Sequence, residues 1–327
     1  MGRVVRLGGG AEFDLIRRFT EGSGPLPADV MLGPGDDAAV FRDGWVVSTD
    51  LSVEDVHFRR EWLEDHEIGY RAAVAGLSDL AAMGSSPVAL LLSLAAPRGG
   101  AVDLEAVNAG VRAAAEGHGA VVVGGDVSRS PGPLFLDITA VGCTAWPVQR
   151  SGAEPGDHVW VTGVLGASAS AVRMWTSDRV PSPGLRAAFA HPRARVDEAR
   201  CLVEREVVDA MIDVSDGLVG DAGHLAAASG VSITLELERV PVAPEAVQAL
   251  GADEALDAAL HGGEDYELCF VTDPDAVDTT EFEKLFGIPV TRVGTVEEGD
   301  GVWLQASDGS RARPTRGGYD HWEGAGA

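Results

Sequence analysis

Met211-Ile-Asp-Val-Ser-Asp-Gly-Leu218, continuing as Val219-Gly-Asp-Ala-Gly-His-Leu225, is a short apolar run that turns polar at Asp213 and then becomes periodic. Residues 211–214 have the apolar character of a buried strand. Ser215 is a favourable N-cap, so a helix is expected over 216–229. A strand feeding directly into a helix is a building unit of α/β and α+β domains. It sets Asp213 at a strand end, with Ser215 and Asp216 at a helix N-terminus, where anions are favoured. Local chemistry leaves two roles open for Asp216: complementing the helix dipole or holding a metal.

Outward from this segment, strands are expected upstream at 45–48, 120–123 and 134–141, where β-branched and aromatic residues concentrate. Downstream they are expected at 159–162, 231–237, 266–271 and 290–296. Helices are expected over 66–83, closed by Gly84, and 104–116, closed by Gly117, and again over 166–175 and 244–250. This mixture points to an α/β (α+β) protein of two domains rather than a barrel. The best boundary falls within 146–157, where Pro147, Gly152, Pro155 and Gly156 interrupt the apolar runs. It gives an N-terminal domain over 1–148 and a C-terminal domain over 149–327.

The bulk chemistry excludes several classes. A net charge of −26 is the wrong sign for a nucleic-acid binder, and Lys284 is the only lysine. The apolar run 87–97 is too short to span a bilayer, which takes about 20 residues. Residues 1–10 hold no apolar secretory core, and Arg6 breaks a myristoylation pattern begun by Gly2. Cys143, Cys201 and Cys269 are too scattered for a zinc or redox pair and fit reduced thiols. A soluble, cytoplasmic protein that engages neither membrane nor nucleic acid is expected.

The placement of the acids says more than their number. Five apolar runs end in a carboxylate beside Gly, Ser or Thr: Gly35-Asp36-Asp37, Ser48-Thr49-Asp50, Gly124-Gly125-Asp126, Asp213-Val-Ser215-Asp216 and Gly262-Gly263-Glu264-Asp265. Such turns let a backbone approach a phosphate while a carboxylate holds its cation. Asp79 lies in a helical segment with Ala75, Gly76, Ala82 and Met83 as neighbours. It is either a surface aspartate or a buried one that needs a cation or hydrogen bonds. No P-loop, no protein-kinase HRD or DFG element, no EF-hand and no GxSxG elbow is present.

Taken in order, these segments resemble the thiamine-monophosphate kinase family, within the superfamily of aminoimidazole ribonucleotide synthetase and selenophosphate synthetase. The resemblance rests on Gly35-Asp-Asp-Ala-Ala-Val40, Ser48-Thr-Asp-Leu-Ser-Val-Glu-Asp-Val-His-Phe58 and Leu77-Ser-Asp-Leu-Ala-Ala-Met-Gly84. It continues with Gly124-Gly-Asp-Val-Ser-Arg129, Ile212-Asp-Val-Ser-Asp-Gly-Leu218, Gly262-Gly-Glu-Asp-Tyr-Glu-Leu268 and Gly318-Tyr-Asp-His-Trp322. The family's activity implies phosphorylation of thiamine monophosphate by ATP to thiamine diphosphate, with several Mg²⁺ ions and a homodimer. It implies Asp36, Ser48, Thr49, Asp50, Asp79, Asp126, Asp213 and Asp216 as metal ligands. Gly125, Asp126, Arg150 and Ser215 would contact ATP; His57, Glu264 and Trp322 would contact the thiamine phosphate. Asp55 departs from the family's usual glycine, and the segment around Ala109 lacks an aromatic found in some members.

A phosphate monoester acceptor is already an anion, its second pKa being about 6, so direct in-line transfer needs no general base. His57 is then a substrate contact, a structural histidine or a base, and Trp322 either stacks on the thiazolium or packs. The competing readings are an ATP-dependent cyclo-ligase, a selenophosphate synthetase and a non-enzymatic divalent-metal binder. The second normally carries a cysteine near its N-terminus, and residues 1–30 have none.

Overall fold

The computed structural model describes residues 4–6, 8–21, 24–99 and 102–321. Its first half runs α1 (Ala11–Thr20), β1 (Val30–Leu32), β2 (Ala39–Phe41), β3 (Trp45–Val53), α2 (Asp65–Ala82), β4 (Ser86–Pro97), α3 (Leu104–Gly117), β5 (Val121–Ser130) and β6 (Phe135–Cys143). The second half runs β7 (His158–Thr162), α4 (Ala167–Thr176), α5 (Pro183–Ala190), α6 (Val196–Glu204), β8 (Ala210–Asp213), α7 (Leu218–Ser229) and β9 (Ser232–Glu236). It ends with α8 (Pro244–Leu250), α9 (Ala252–His261), β10 (Leu268–Thr272), α10 (Thr279–Phe286), β11 (Val290–Glu297), β12 (Gly301–Gln305) and β13 (Arg311–Ala312).

Two sheets result. The first has six strands in the order β1-β2-β3-β6-β4-β5, the second seven in the order β13-β12-β9-β11-β7-β10-β8. Among the described residues, all strand pairings are antiparallel except β4 with β5 and β9 with β12, so the α+β side of the expectation describes the topology. The run 87–97, too short for a membrane, is most of β4, paired on both edges inside the first sheet. No helix among the described residues is long and apolar enough to cross a membrane.

Helix α2 is the axle of the molecule. A capping box starts it: Glu64 and Glu67 exchange side-chain and backbone bonds, which satisfies two orphan N–H donors. It crosses α3 where both helices carry glycine; a Cβ on Gly69 would lie 1.9 Å from the Val107 carbonyl oxygen. The rest of α2 is almost wholly buried between the first sheet and α5, α6 and β8. One core cluster therefore joins Leu77 and Leu80 of α2 to Phe189 of α5 and Leu268 of β10. Each fully buried Leu or Phe contributes about 2–3 kcal/mol, and this shared core makes the meeting of the two halves rigid enough to hold a site.

Three local expectations are corrected. Ser48-Thr49-Asp50 is not a turn: β3 runs on to Val53, so these side chains alternate faces. Gly124-Gly125-Asp126 likewise lies inside β5, where Gly125, at φ +147°, passes the Leu92 carbonyl too closely for any side chain. Helix α7 starts at Leu218 rather than at Asp216. Gly217, at φ +104°, precedes it, and no side-chain cap is made.

Candidate functional site

Strand alternation and the axle helix bring three acids together. Ser48 and Asp50 share one face of β3, Asp79 sits at the end of α2, and Asp213 ends β8. Oxygens of Asp37, Asp79 and Asp213 lie within 4.8 Å of one another. The Ser48 hydroxyl donates to Asp79, and the Ser78 hydroxyl donates to Asp213 at 2.7 Å. Arg150 answers Asp37 with a fork, Nη2 to Oδ1 at 2.8 Å and Nε to Oδ2 at 3.2 Å. Its backbone N–H reaches both oxygens of Asp36 at 3.2 Å.

Like charges at such spacing repel by roughly 3 kcal/mol per pair at an effective dielectric of 20. Burial first, and then neighbouring carboxylates, push Asp213 up to about 7 and Asp79 well above the carboxylate range. Burial and the Asp37 charge likewise raise Asp36 to about 7, against the pull of Arg150. The expectation singled out Asp36, but Asp37 is the residue that joins Asp79 and Asp213. The motif offers two adjacent aspartates, and nothing in the sequence says which of them turns inward.

In front of this group opens a cavity of about 500 Å³ lined from both halves by Asp50, His57, Ser215, Asp216, Glu264 and Trp62, among others. Burial and then the Glu264 charge raise Asp50 to about 6. Asp216 is raised to about 7, chiefly by burial and then by Glu12. Glu264 stands at φ +67° in a loop pinned to the strand end by Glu264 N–H to Ser215 O, 2.8 Å, and Tyr266 N–H to Val214 O, 2.9 Å. His57 Nδ1 accepts the Val53 N–H at 3.0 Å, so the neutral ring carries its proton on Nε2. Burial holds the ring neutral by lowering its pKa. Asp55, the departure from the family's glycine, also takes φ +67°, a conformation that Asp tolerates better than most side chains.

The remaining expected residues lie elsewhere. Thr49, on the opposite face of β3, donates to Asp137 at 2.7 Å. Gly125 and Asp126 sit on exposed β5 at the sheet edge, outside the carboxylate group. Trp322 lies outside the described residues. The sequence reading missed Arg71, Asp221 and His224. Asp221 accepts the Asp216 N–H at 3.2 Å and lies within 4.8 Å of Asp216 and His224. Asp216 and His224 also line a second cavity of about 570 Å³ against α1. Asp221 is the one acid in the apolar helix α7, the kind of signal that did single out Asp79, whereas Arg71 shares α2 with Asp65, Glu67 and Asp79.

Both halves match the AIR synthase related protein family, the N-terminal domain over residues 35–144 and the C-terminal domain over 154–306. That defines the class. Among individual relatives, the thiamine-monophosphate kinase of Rhodopirellula baltica is 35% identical across 90% of this chain and 92% of its own. The crystal structure of the thiamine-monophosphate kinase from Stenotrophomonas maltophilia K279a is 35% identical, with a TM-score of 0.75 over 94% of this chain and 98% of that one. A structure described as AaThiL complexed with AMPPCP and TMP is 31% identical, with a TM-score of 0.80 over 96% and 97%. The chain belongs to the thiamine-monophosphate kinase family of AIR synthase related proteins.

Proposed function

We propose that this protein transfers the γ-phosphoryl group of ATP to thiamine monophosphate, giving thiamine diphosphate. The observation that carries the reading is one two-sided site: a cavity walled by Glu264, His57 and Asp50, backed by the Asp37, Asp79 and Asp213 carboxylates. The relatives named above, and the one complexed with AMPPCP and TMP, support the same substrates.

Mg²⁺ fits the carboxylate group. The donors are all oxygen, two of them buried, and their mutual repulsion demands either protons or a cation. Asp37, Asp79, Asp213 and Ser48 would hold it, with Asp36, Asp50 and Asp216 close by; Thr49 and Asp126 stay in the proposed set on resemblance alone. When bound, the metal neutralises phosphate oxygens so that two anions can meet.

The chain's own side chains do the positioning. His57 offers Nε2–H as a hydrogen-bond donor and, with Nδ1 already occupied, is no general base. None is needed for an ionised acceptor. Glu264 supplies a carboxylate for the cationic thiazolium ring. Ser215 and Arg150 are the proposed ATP contacts on this face, with Gly125 on the first sheet and Trp322 at the C-terminal end as further contacts. Transfer is direct and in line, without a phosphoenzyme.

A homodimer through the first sheet is supported by edge strand β5, where Val121, Val123 and Val127 are 55%, 60% and 71% exposed. The division at 148/149 and a cytoplasmic location complete the reading.

The test is chromatographic. Purified protein with Mg²⁺, ATP and thiamine monophosphate should form ADP and thiamine diphosphate in equal amounts, with no ADP when the thiamine ester is omitted. ATP consumption that ignores thiamine monophosphate sinks the assignment.

A further inference from the structure

Arg71 is a cation for which the proposed chemistry has no role. It lies in α2 with its side chain 4% exposed, and Nη2 meets Glu264 Oε1 at 2.5 Å. Nη1 donates to the Phe189 carbonyl oxygen at 3.2 Å, and Cζ stands 3.8 Å from the centroid of the Phe189 ring. That ring meets Trp175 and Trp62 edge-on at 5.4 and 6.2 Å, and the two indoles stack at 4.9 Å. Glu264, Phe189 and Trp62 all line the cavity. One guanidinium thus holds an acidic wall on one side and an aromatic wall on the other.

The geometry differs from that of a packing ion pair. Glu264 keeps 23% of its side chain exposed, whereas Glu267, paired with Arg195, keeps 5%. The Glu264 backbone, at φ +67°, is held by its N–H bond to the Ser215 carbonyl just beyond β8, a conformation costing an L-residue on the order of 1 kcal/mol. With its backbone fixed and one oxygen on Arg71, the carboxylate is held at the wall of the cavity that it lines. An anion beside aromatic faces suits an aromatic cation.

We infer that Arg71 is a positioning residue for substrate selection, fixing Glu264 as an acidic wall and, through the buried Phe189 ring, the Trp62 indole as an aromatic one, for a cationic heteroaromatic ring that carries a phosphate ester. This rests on the function proposed above, thiamine monophosphate being a member of that class.

The experiment is steady-state kinetics on the full-length enzyme with thiamine monophosphate and ATP varied in turn. Arg71→Met should raise KM for thiamine monophosphate about tenfold or more, with KM for ATP held within about twofold. Arg71→Lys keeps the charge but loses the fork and the ring contact, so it should show a smaller rise of the same kind. It also carries the test if the Met variant does not fold. Glu264→Gln should mimic Arg71→Met, and the double variant should be no worse than the worse single, because the two residues act as one unit. Additive losses, or a fall in melting temperature and kcat with both KM values unchanged, overturn the inference and leave the kinase assignment standing. A wild-type protein that neither binds nor phosphorylates thiamine monophosphate overturns both.

Discussion

Two groups of buried acids lie back to back where β8 pairs with β10, and they have opposite characters. Asp213 is the register partner of Leu268; Glu267 is the next residue along the chain, so its side chain leaves by the other face. Glu267 is fully answered. Arg195 meets it through Nε at 2.7 Å and Nη2 at 2.5 Å, and Thr162 Oγ1 donates at 2.6 Å. Burial raises its pKa, but Arg195 and Thr162 pull it back. Asp213, with Asp37 and Asp79, has one shared arginine and two hydroxyls for three carboxylates. Sites that only stabilise a fold converge on the first arrangement. The second leaves carboxylates that must be either protonated or met by a cation, which is why the unbalanced group points to function and the balanced one does not.

The largest expected effect separates the two directly. Asp213→Asn should lower turnover by about a hundredfold or more, because the proposed phosphate-neutralising cation would lose a ligand. Its metal-free melting temperature should hold or rise, since a repelling charge has gone. Turnover within about tenfold of wild type, measured at saturating Mg²⁺, contradicts the metal role. On the other face, Glu267→Ala should leave both KM values unchanged and strip a largely buried arginine of its nearer partner, leaving it only Glu198 at 3.5 Å, at a cost of about 3 kcal/mol. Loss of substrate affinity without loss of stability would erase the contrast.

A smaller effect follows from pH. The folded-state pKa of Asp213 is about 7, well above the roughly 4 of an unfolded aspartate. Between those values the folded protein holds protons that the unfolded chain has released. Metal-free stability should therefore fall as pH rises from about 4 to about 7, then level off. Mg²⁺ needs the ionised carboxylates, so the rise in melting temperature that it produces should be larger at pH 8 than at pH 5. Equal increments at both pH values, read by thermal unfolding with and without the metal, would show that these acids do not hold it.

Much of this contrast was legible in the sequence. The strand-to-helix unit at 211–229 carried both the fold class and the position of Asp213, and an acid in an apolar helix carried Asp79. Composition around Asp50 and Asp126 read as turns, yet both lie within strands. Gly125 answers a tertiary demand, the approach of β5 to the Leu92 carbonyl, rather than a local one. The choice of Asp37 over Asp36 and the partnership of Arg71 with Glu264 depend on which side chains turn inward at a contact 193 residues apart in sequence, and no local pattern encodes that. Glu264, Asp265 and Glu267 look alike as a run of acids. In the structure they serve the cavity, the N-terminus of α4 through the Gly166 N–H at 2.7 Å, and Arg195, respectively.

The smallest effect concerns His57, whose ring lies between the two regimes. It is half-buried and neutral, with Nδ1 tied to Val53 and Nε2–H free to donate. A donor role predicts that Gln, whose amide nitrogen can occupy the place of Nε2, keeps activity within about fivefold, whereas His57→Ala loses about tenfold or more in kcat/KM for thiamine monophosphate. A general-base role predicts something else: Gln as damaging as Ala, with a wild-type pH profile that rises through the imidazole range. The His321 ring, 4.9 Å away, supplies a control. His321→Ala removes the neighbour that helps to hold the His57 pKa down, yet leaves the Val53 bond intact, so the His57→Gln result should be the same in that background. If the two histidines instead depend on each other for activity, proton transfer between them is the better account, and His57 belongs to the chemistry rather than to the positioning.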